Sequence, residues 1–164
     1  MRGREAQSLA EVTVGIVVFV PIVMALIDLS MIFYAVQQND NLCRSAAEAA
    51  ASCDPGESQA RALVLLDKQN RASAGSMIKG FRLAQPVDVK VVSIPAAVED
   101  LATDNMFNPG GPVTGTATVT TAVDVKPLVV QNFYGGKSPL TFESKRTFPI
   151  KYIMPAIGKP TSRS

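Results

Sequence analysis

The sequence predicts an α+β fold, in which a long N-terminal transmembrane helix continues outside the membrane and packs on a small antiparallel sheet. Residues 12–33 form an apolar run whose single ionisable side chain is Asp28. A helical, alanine-rich pattern then continues to the turn signal Asp54-Pro55-Gly56. After Gly80, valine and threonine dominate, which favours three or four strands, with a second short helix before them.

Composition limits the classes of function. The 164 residues include 16 Lys and Arg against 14 Asp and Glu, a net charge of +2, with two Cys and no His. The first 33 residues leave 131 of the 164, which is enough for one small domain. The chain has no basic run of the kind that binds nucleic acid. Without His, most zinc, haem and His-based catalytic sites are excluded, so we expect neither an enzyme nor a cofactor.

The apolar run is long enough to cross a membrane, because about 20 helical residues span the hydrocarbon core. Gly15 and Pro21 are both tolerated in membrane helices, and Pro21 predicts a bend. Arg2 and Arg4 precede the run, so the positive-inside rule predicts a cytoplasmic N-terminus and an external C-terminal part. A cleaved secretory signal is disfavoured, since such signals have apolar cores of about 7–15 residues.

Two acidic residues are predicted to lie near the membrane surfaces. Glu11 immediately precedes the apolar run, where it would contact water and headgroups. Asp28 follows Val12 by about 24 Å of helix, close to the outer boundary of a core about 30 Å thick. At that depth the Asp28 carboxylate could snorkel to water or could make a helix–helix contact.

The first helix is predicted to continue to Ser52, because mostly alanine residues recur at helical spacing on one face. About half of it would project beyond the bilayer, and its alanine face favours lateral packing against copies or relatives of the chain. A second helix is expected to begin at residues 54–57, with Asp54 as the cap, Pro55 at the first helical position and Glu57 completing a capping box. It should end near residues 73–75.

The remaining sequence is predicted to be β-rich. Residues 87–92 form a strand that Pro95 ends, and residues 113–125 form a strongly β-prone strand that ends at Lys126-Pro127. Residues 95–112 are expected to be a loop, to which residues 98–107 could add a helical turn. The other predicted elements are a connector at 128–133, a turn at 135–136, a last strand within 140–153 with Pro149 at a bulge or edge, and a loose tail after Pro155.

Cys43 and Cys53 would face an oxidising compartment if the predicted topology holds. Ten helical residues separate them by about 15 Å along the axis, whereas bridged Cα atoms lie within about 7 Å. We therefore favour free thiols, or contacts of these thiols with another subunit, over a disulfide between them.

The N-terminal pattern resembles the TadE-like family, whose members are membrane-anchored pseudopilins or minor pilins of the tight-adherence (Tad) pilus system. The resemblance is strongest over residues 6–51, and a weaker similarity extends to the β-rich half. The residues that carry it are Gln7-Ser8-Leu9-Ala10-Glu11 before the apolar run, Pro21 within it, Ile27-Asp28-Leu29, the alanine-rich continuation, and Lys126-Pro127-Leu128 before a Thr-rich last strand.

The resemblance implies that a prepilin peptidase cuts five residues before Glu11, between Ala6 and Gln7. The chain departs from the family pattern here, because Ala6 stands where Gly is usual and Gly3 is too far upstream. Residues 1–6 would then be a cytoplasmic leader, 7–52 the N-terminal helix with its transmembrane part at 12–33, and 53–164 a periplasmic domain.

The resemblance also implies contacts with other subunits through Glu11, Pro21 and Asp28. The implied partners are pilin and pseudopilin subunits, the prepilin peptidase, the inner-membrane assembly platform and the lipid bilayer. The chain would lie in a bacterial inner membrane or in an extracellular pilus. The alternative is a single-pass, membrane-anchored periplasmic binding or scaffolding module that is unrelated to pili.

Overall fold

The computed structural model describes residues 2–73, 78–96, 98–100, 105–127 and 139–156. Its architecture is α+β, as predicted, with a long apolar N-terminal helix, a second helix and small antiparallel sheets. The helices are α1 (Arg2–Ser52) and α2 (Ser58–Ala72). The strands are β1 (Ile78–Leu83), β2 (Asp88–Ser93), β3 (Val98–Asp100), β4 (Asn105–Phe107), β5 (Gly111–Pro112), β6 (Thr114–Val125), β7 (Leu140–Pro149) and β8 (Ile153–Met154).

The main sheet is built around β6. Along one side, β7 pairs antiparallel with β6 from Thr116↔Pro149 to Val125↔Leu140. Along the other side, β1 pairs with the C-terminal half of β6 and β2 with its N-terminal half. Between them, the backbone N–H of Ala84 donates to the Thr120 carbonyl at 2.9 Å. The strands β1 and β2 therefore form one interrupted edge strand, while β3–β4 and β5–β8 form two small separate sheets.

The outer half of α1 packs on this sheet through alanine residues. Ala46, Ala47 and Ala50 are buried in one core with Val119 and Val123 of β6. Small side chains let the helix backbone approach the sheet closely. The alanine face is thus occupied by the chain's own domain, and the prediction that it packs against copies of the chain is wrong for this face.

The second helix runs back along α1 and also contacts β1. Near its start the Ser58 hydroxyl donates to the Ala50 carbonyl at 2.8 Å, and near its end the Gln69 side chain donates to Gln38 Oε1 at 3.3 Å. Since Ala50 lies after Gln38 in α1, the two helices are antiparallel.

The predicted start of α2 is wrong. Asp54 accepts a hydrogen bond at Oδ1 from the Gly56 N–H and at its carbonyl from the Glu57 N–H, so residues 54–57 form a turn instead of a first helical turn. The helix begins at Ser58, and Glu57 makes no side-chain capping bond.

Two parts of the β-rich half also differ from prediction. Within residues 98–107, β3 and β4 pair as antiparallel strands, so the helical turn is wrong. The strand β1 was not predicted. The last strand, β7, ends at Pro149, which agrees with an edge position because among the described strands β7 pairs only with β6. The predicted connector at 128–133, the turn at 135–136 and most of the tail lie outside the described residues.

Candidate functional site

The N-terminal part of α1 is the largest exposed apolar surface of the described structure. From Glu11 to Ile22 every side chain is exposed, and Phe19, at 64%, is typical of them. Large apolar side chains are seldom left in contact with water as a continuous surface. By length and composition, the helix from Glu11 onward could span a membrane, and it is the single such helix among the residues described.

The apolar surface continues beyond the point where the domain begins. Leu29, Phe33 and Val36 follow each other at spacings of four and three residues and are exposed, Phe33 at 65%. Side chains at such spacings share one face of a helix. Ala35 and Asn39 are buried on a different face, so α1 has its domain on one side and an apolar stripe on another.

Asp28 is buried although it lies within the apolar run of α1. Its side chain is 0% exposed, and it has an interaction partner within the chain. Snorkelling to water, one of the two alternatives given for Asp28 from the sequence, is therefore wrong, because the side chain is buried. A fully buried carboxylate is not accessible to a second helix or to a neighbouring subunit. The predicted subunit contact through Asp28 therefore disagrees with the structure.

Buried polar groups fix α1 on the sheet. Asn39 Nδ2 donates to the Phe142 carbonyl at 3.2 Å, and the Thr121 hydroxyl donates to Asn39 Oδ1 at 2.9 Å. One turn further along α1, the Cys43 thiol lies 3.4 Å from the Val119 carbonyl oxygen and 3.2 Å from that of Ser144. These contacts reach both β6 and β7, so they define the rotation and height of the helix on the sheet.

An ion pair at the side of this contact joins α1 to β7. The Arg146 guanidinium donates to both carboxylate oxygens of Asp40, with Nη2 at 2.7 Å from Oδ1 and 2.6 Å from Oδ2. The Ser144 hydroxyl donates to the same carboxylate at 2.8 Å. Hydrogen bonds from Arg146 and then Ser144 hold the pKa of Asp40 below its ordinary value. Both charged side chains remain over 40% exposed, so solvent screens the pair.

Neither cysteine is in a disulfide in the described structure. Cys43 is buried within its own domain, so only Cys53, which is half-buried, is placed for the contact with another subunit considered from the sequence. Cys53 lines an open cleft of about 540 Å³ together with Asp54, Glu57, Arg61 and Tyr152. Partial desolvation, followed by the charge of Asp54, raises the pKa of the Tyr152 phenol.

The residues singled out from the sequence are not brought together. Ala6 and Gln7 lie within α1, and Glu11 and Pro21 are exposed further along it. Glu11 also has an interaction partner within the chain. These positions follow one another along a single helix, so the fold does not bring them together in a pocket.

The residues that position α1 on its domain were not predicted from the sequence. Asn39 is a polar residue on an otherwise alanine-rich face, and that anomaly was the available signal. The partners of Asp40 were not predictable, because Arg146 is more than 100 residues away and its alignment depends on the register of β7.

In the described part of the chain, no group of three or more His, Cys, Asp or Glu side chains is placed to hold a metal ion. Comparison with known proteins found no family model, no curated protein and no solved structure that significantly matches the chain.

Proposed function

We propose that the chain is a structural subunit, a minor pilin or pseudopilin of a Tad-type pilus assembly, which packs through the exposed part of α1. The observation that carries the proposal is the division of one continuous helix. Its inner part exposes apolar side chains on all faces, while its outer part is fixed in a small α+β domain. The N-terminal resemblance to the TadE-like family supports the same assignment.

The division limits which surfaces are available for assembly. The alanine face of the outer part is already buried against β6. The surfaces that remain are the exposed inner segment, which includes Pro21, and the stripe formed by Leu29, Phe33 and Val36. Helices that lie side by side in lipid associate through van der Waals packing, so the shape of these two surfaces would decide how neighbouring helices fit.

The role we assign to Glu11 is to set the position of one subunit against the next. Cleavage after Ala6 would create an amino group on Gln7, one helical turn from Glu11. The resemblance to pilins implies that in the assembly the amino group of a neighbouring subunit pairs with the Glu11 carboxylate, in exchange for the interaction that Glu11 makes within the single chain. The proposed topology has a cytoplasmic N-terminus and a periplasmic domain, with the prepilin peptidase and the assembly platform as partners.

Replacement of Glu11 by Ala tests this role. We expect the variant to insert into the membrane at the parental level but to be lost from sheared pilus fractions. Glu48→Ala is the matched control, because Glu48 is an exposed acid on the outer part of the same helix, in an i,i+4 pair with Arg44. Normal incorporation of the Glu11→Ala variant would refute the role.

The mature N-terminus tests membership of the pilus system more directly. We expect the intact mass of the protein to correspond to a chain that begins at Gln7, either as the free amine or in its cyclised form. This product should disappear when the prepilin peptidase is deleted. Retention of Met1 in the presence of the peptidase would favour the membrane-anchored module instead.

A further inference from the structure

Strand β7 forms one edge of the main sheet, and its pairing with β6 is regular. The register runs without a shift along all 10 residues of β7. Directly beyond the strand, the backbone N–H of Ile150 donates to the Gly115 carbonyl at 3.0 Å. Successive residues of a strand direct their backbone groups to opposite sides, so the even-numbered residues of β7 bond β6. The odd-numbered residues therefore direct their N–H and C=O groups away from the sheet.

Four exposed residues carry these outward backbone groups: Thr141, Glu143, Lys145 and Thr147. Among the described strands, β7 pairs only with β6. The four side chains lie on the face of the sheet away from α1, because the alternate residues Ser144 and Arg146 bond Asp40 of that helix. We call this row of backbone groups and side chains the β7 edge.

The opposite edge of the same sheet is covered at β1. The Asn70 amide of α2 donates to the Phe81 carbonyl at 2.8 Å, and its Oδ1 accepts from the Phe81 N–H at 3.0 Å. One side chain thus occupies the place that an added strand would take. Natural sheets cover or interrupt edges that must not pair. The described structure gives β1 this cover and leaves the β7 edge open.

The charges on the β7 edge are self-complementary. Two antiparallel copies of β7 must oppose odd-numbered residues with odd-numbered residues, because these carry the outward backbone groups. In the register centred on Ser144, Glu143 of each copy lies opposite Lys145 of the other. The same register opposes Thr141 with Thr147. A register centred on Glu143 or on Lys145 would oppose like charges, which is unfavourable.

Neither charge has to leave an ion pair when a second copy binds. Within the described part of the chain, Glu143 and Lys145 form no ion pair. The charge of Glu143 acts on Arg82, but Arg82 forms its ion pair with Asp124. Opposite charges two residues apart also select a partner strand, whereas charges of one sign would repel another copy.

We propose that the β7 edge binds the β7 edge of a second copy of the chain, in antiparallel pairing about a two-fold axis at Ser144. The same surface is then used by both partners, as in other two-fold dimers, and the two main sheets join into one. The contact combines backbone hydrogen bonds across the axis with two ion pairs between Glu143 and Lys145.

This pairing fixes the relative direction of the two anchors. Helix α1 runs in the same direction as β7, since Asn39 contacts Phe142 and Cys43 contacts Ser144. Antiparallel strands therefore place the apolar segments of the two α1 helices at opposite ends of the dimer. The partners are copies anchored in different membranes or assemblies, so the contact goes beyond the proposed function.

Charge exchange within β7 tests the contact and its register. The full chain in detergent micelles is measured by sedimentation velocity as the parent, Glu143→Lys, Lys145→Glu and the variant with both changes. Each single change opposes like charges at both pairs, so we expect dimers about tenfold weaker. The double variant restores both pairs and should dimerise like the parent. Lys90→Glu is the matched control, because Lys90 is an exposed lysine of β2, and it should change nothing.

An equimolar mixture of the two single variants gives the sharpest result. Each variant alone has like charges at the contact, whereas the mixture opposes lysine with glutamate at both pairs. We expect heterodimers of about parental affinity, which also shows that both variants are folded. A monomeric parent, a dimer that both single changes leave intact, or a mixture that stays monomeric would each overturn the inference. The second outcome would assign the dimer to the exposed face of α1.

Vesicles test the opposite direction of the anchors. Each single variant is reconstituted in its own population of phosphatidylcholine vesicles, and we expect the two populations to cluster when mixed but not alone, as measured by light scattering. Heterodimers in micelles without clustering of the loaded vesicles would overturn the inference. Flotation separates it from the proposed function: a chain that does not float with vesicles contradicts membrane anchoring, while the charge series in micelles still decides the β7 contact.

Discussion

Asn39 of α1 and Thr121 of β6 form a buried pair in which the Thr121 hydroxyl donates to Asn39 Oδ1 at 2.9 Å. The amide nitrogen of Asn39 donates in turn to the Phe142 carbonyl of β7. Asn39 is 1% exposed, so these protein groups take the place of solvent around the amide. One side chain thereby ties the helix to two strands and fixes the distance between the apolar segment of α1 and the sheet.

Asn39→Ala should lower the free energy of unfolding by about 1–3 kcal/mol, because the Thr121 hydroxyl loses its acceptor in a buried site. Denaturant unfolding of the full chain in detergent micelles, followed by the circular dichroism of the sheet, measures the change. Asn41→Ala is the control, since Asn41 is exposed two residues along the same helix. Equal stability of the two variants would contradict the assignment.

Gly115→Ala should separate β2 from β6. A Cβ at this position would overlap the Lys90 carbonyl oxygen and lie 2.9 Å from Ile150 Cδ1. We expect the free energy of unfolding to fall by about 1–3 kcal/mol, as for other overpacked sites, and amide hydrogen exchange in β2 to become faster. The control is Gly15→Ala in α1, where a Cβ would meet nothing within 4 Å. Unchanged exchange in β2 would show that the strands tolerate the methyl group.

The ion pair of Asp40 and Arg146 should make the free energy of unfolding depend on pH in the acidic range. The pKa of Asp40 is lower in the folded chain than its ordinary value of 3.8. The contribution of the ion pair to the free energy of unfolding is therefore fully present above pH 3.8, and it is lost as the pH falls through the pKa of the folded chain. Asp40→Asn should therefore be less stable than the parent near neutral pH, and the two should converge in strong acid. A stability gap that persists unchanged in strong acid would rule out this linkage. The gap should be small, since both side chains are partly exposed.

The two cysteines should differ in reactivity. Cys43 is 0% exposed and its thiol faces two sheet carbonyls, whereas Cys53 is half-buried at the open cleft. Alkylation of the native protein in non-reducing buffer should modify Cys53 alone, and unfolding should expose both thiols to the reagent. Mass spectrometry of the digested protein assigns the sites. A disulfide between them in the purified chain, or rapid alkylation of Cys43, would contradict the packing of α1.

The elements that were predictable have strong local signals. The alanine periodicity predicted the C-terminal end of α1 at Ser52, although the helix begins at Arg2 and not at residue 7. The Thr- and Val-rich pattern predicted a strand at residues 113–125, which agrees with β6. The predicted start of α2 was wrong because the Asp54 side chain can accept a hydrogen bond either in a turn or at the start of a helix. Which of the two forms depends on the contact of Ser58 with Ala50 in the other helix.

The other features that were not predicted depend on contacts between segments that are distant in the sequence. The strand β1 contains Lys79, Gly80 and Arg82, which break any simple alternation, so its formation depends on β6. The burial of Asp28 could not be predicted either, because a local pattern shows how apolar a helix is and not which distant residues cover it.

The absence of a break between the anchor and the domain has a mechanical consequence. Beyond Pro21, α1 is uninterrupted to Ser52, and its outer part is joined to the sheet at Asn39 and Cys43. The stretch from Asp28 to Ser52 is about 36 Å long, so, if α1 spans a membrane, a tilt of about 20° displaces its far end sideways by about 12 Å. A change in the tilt of the apolar segment would therefore move the whole sheet with the helix, and the β2 end, which lies farthest from that segment, would move most.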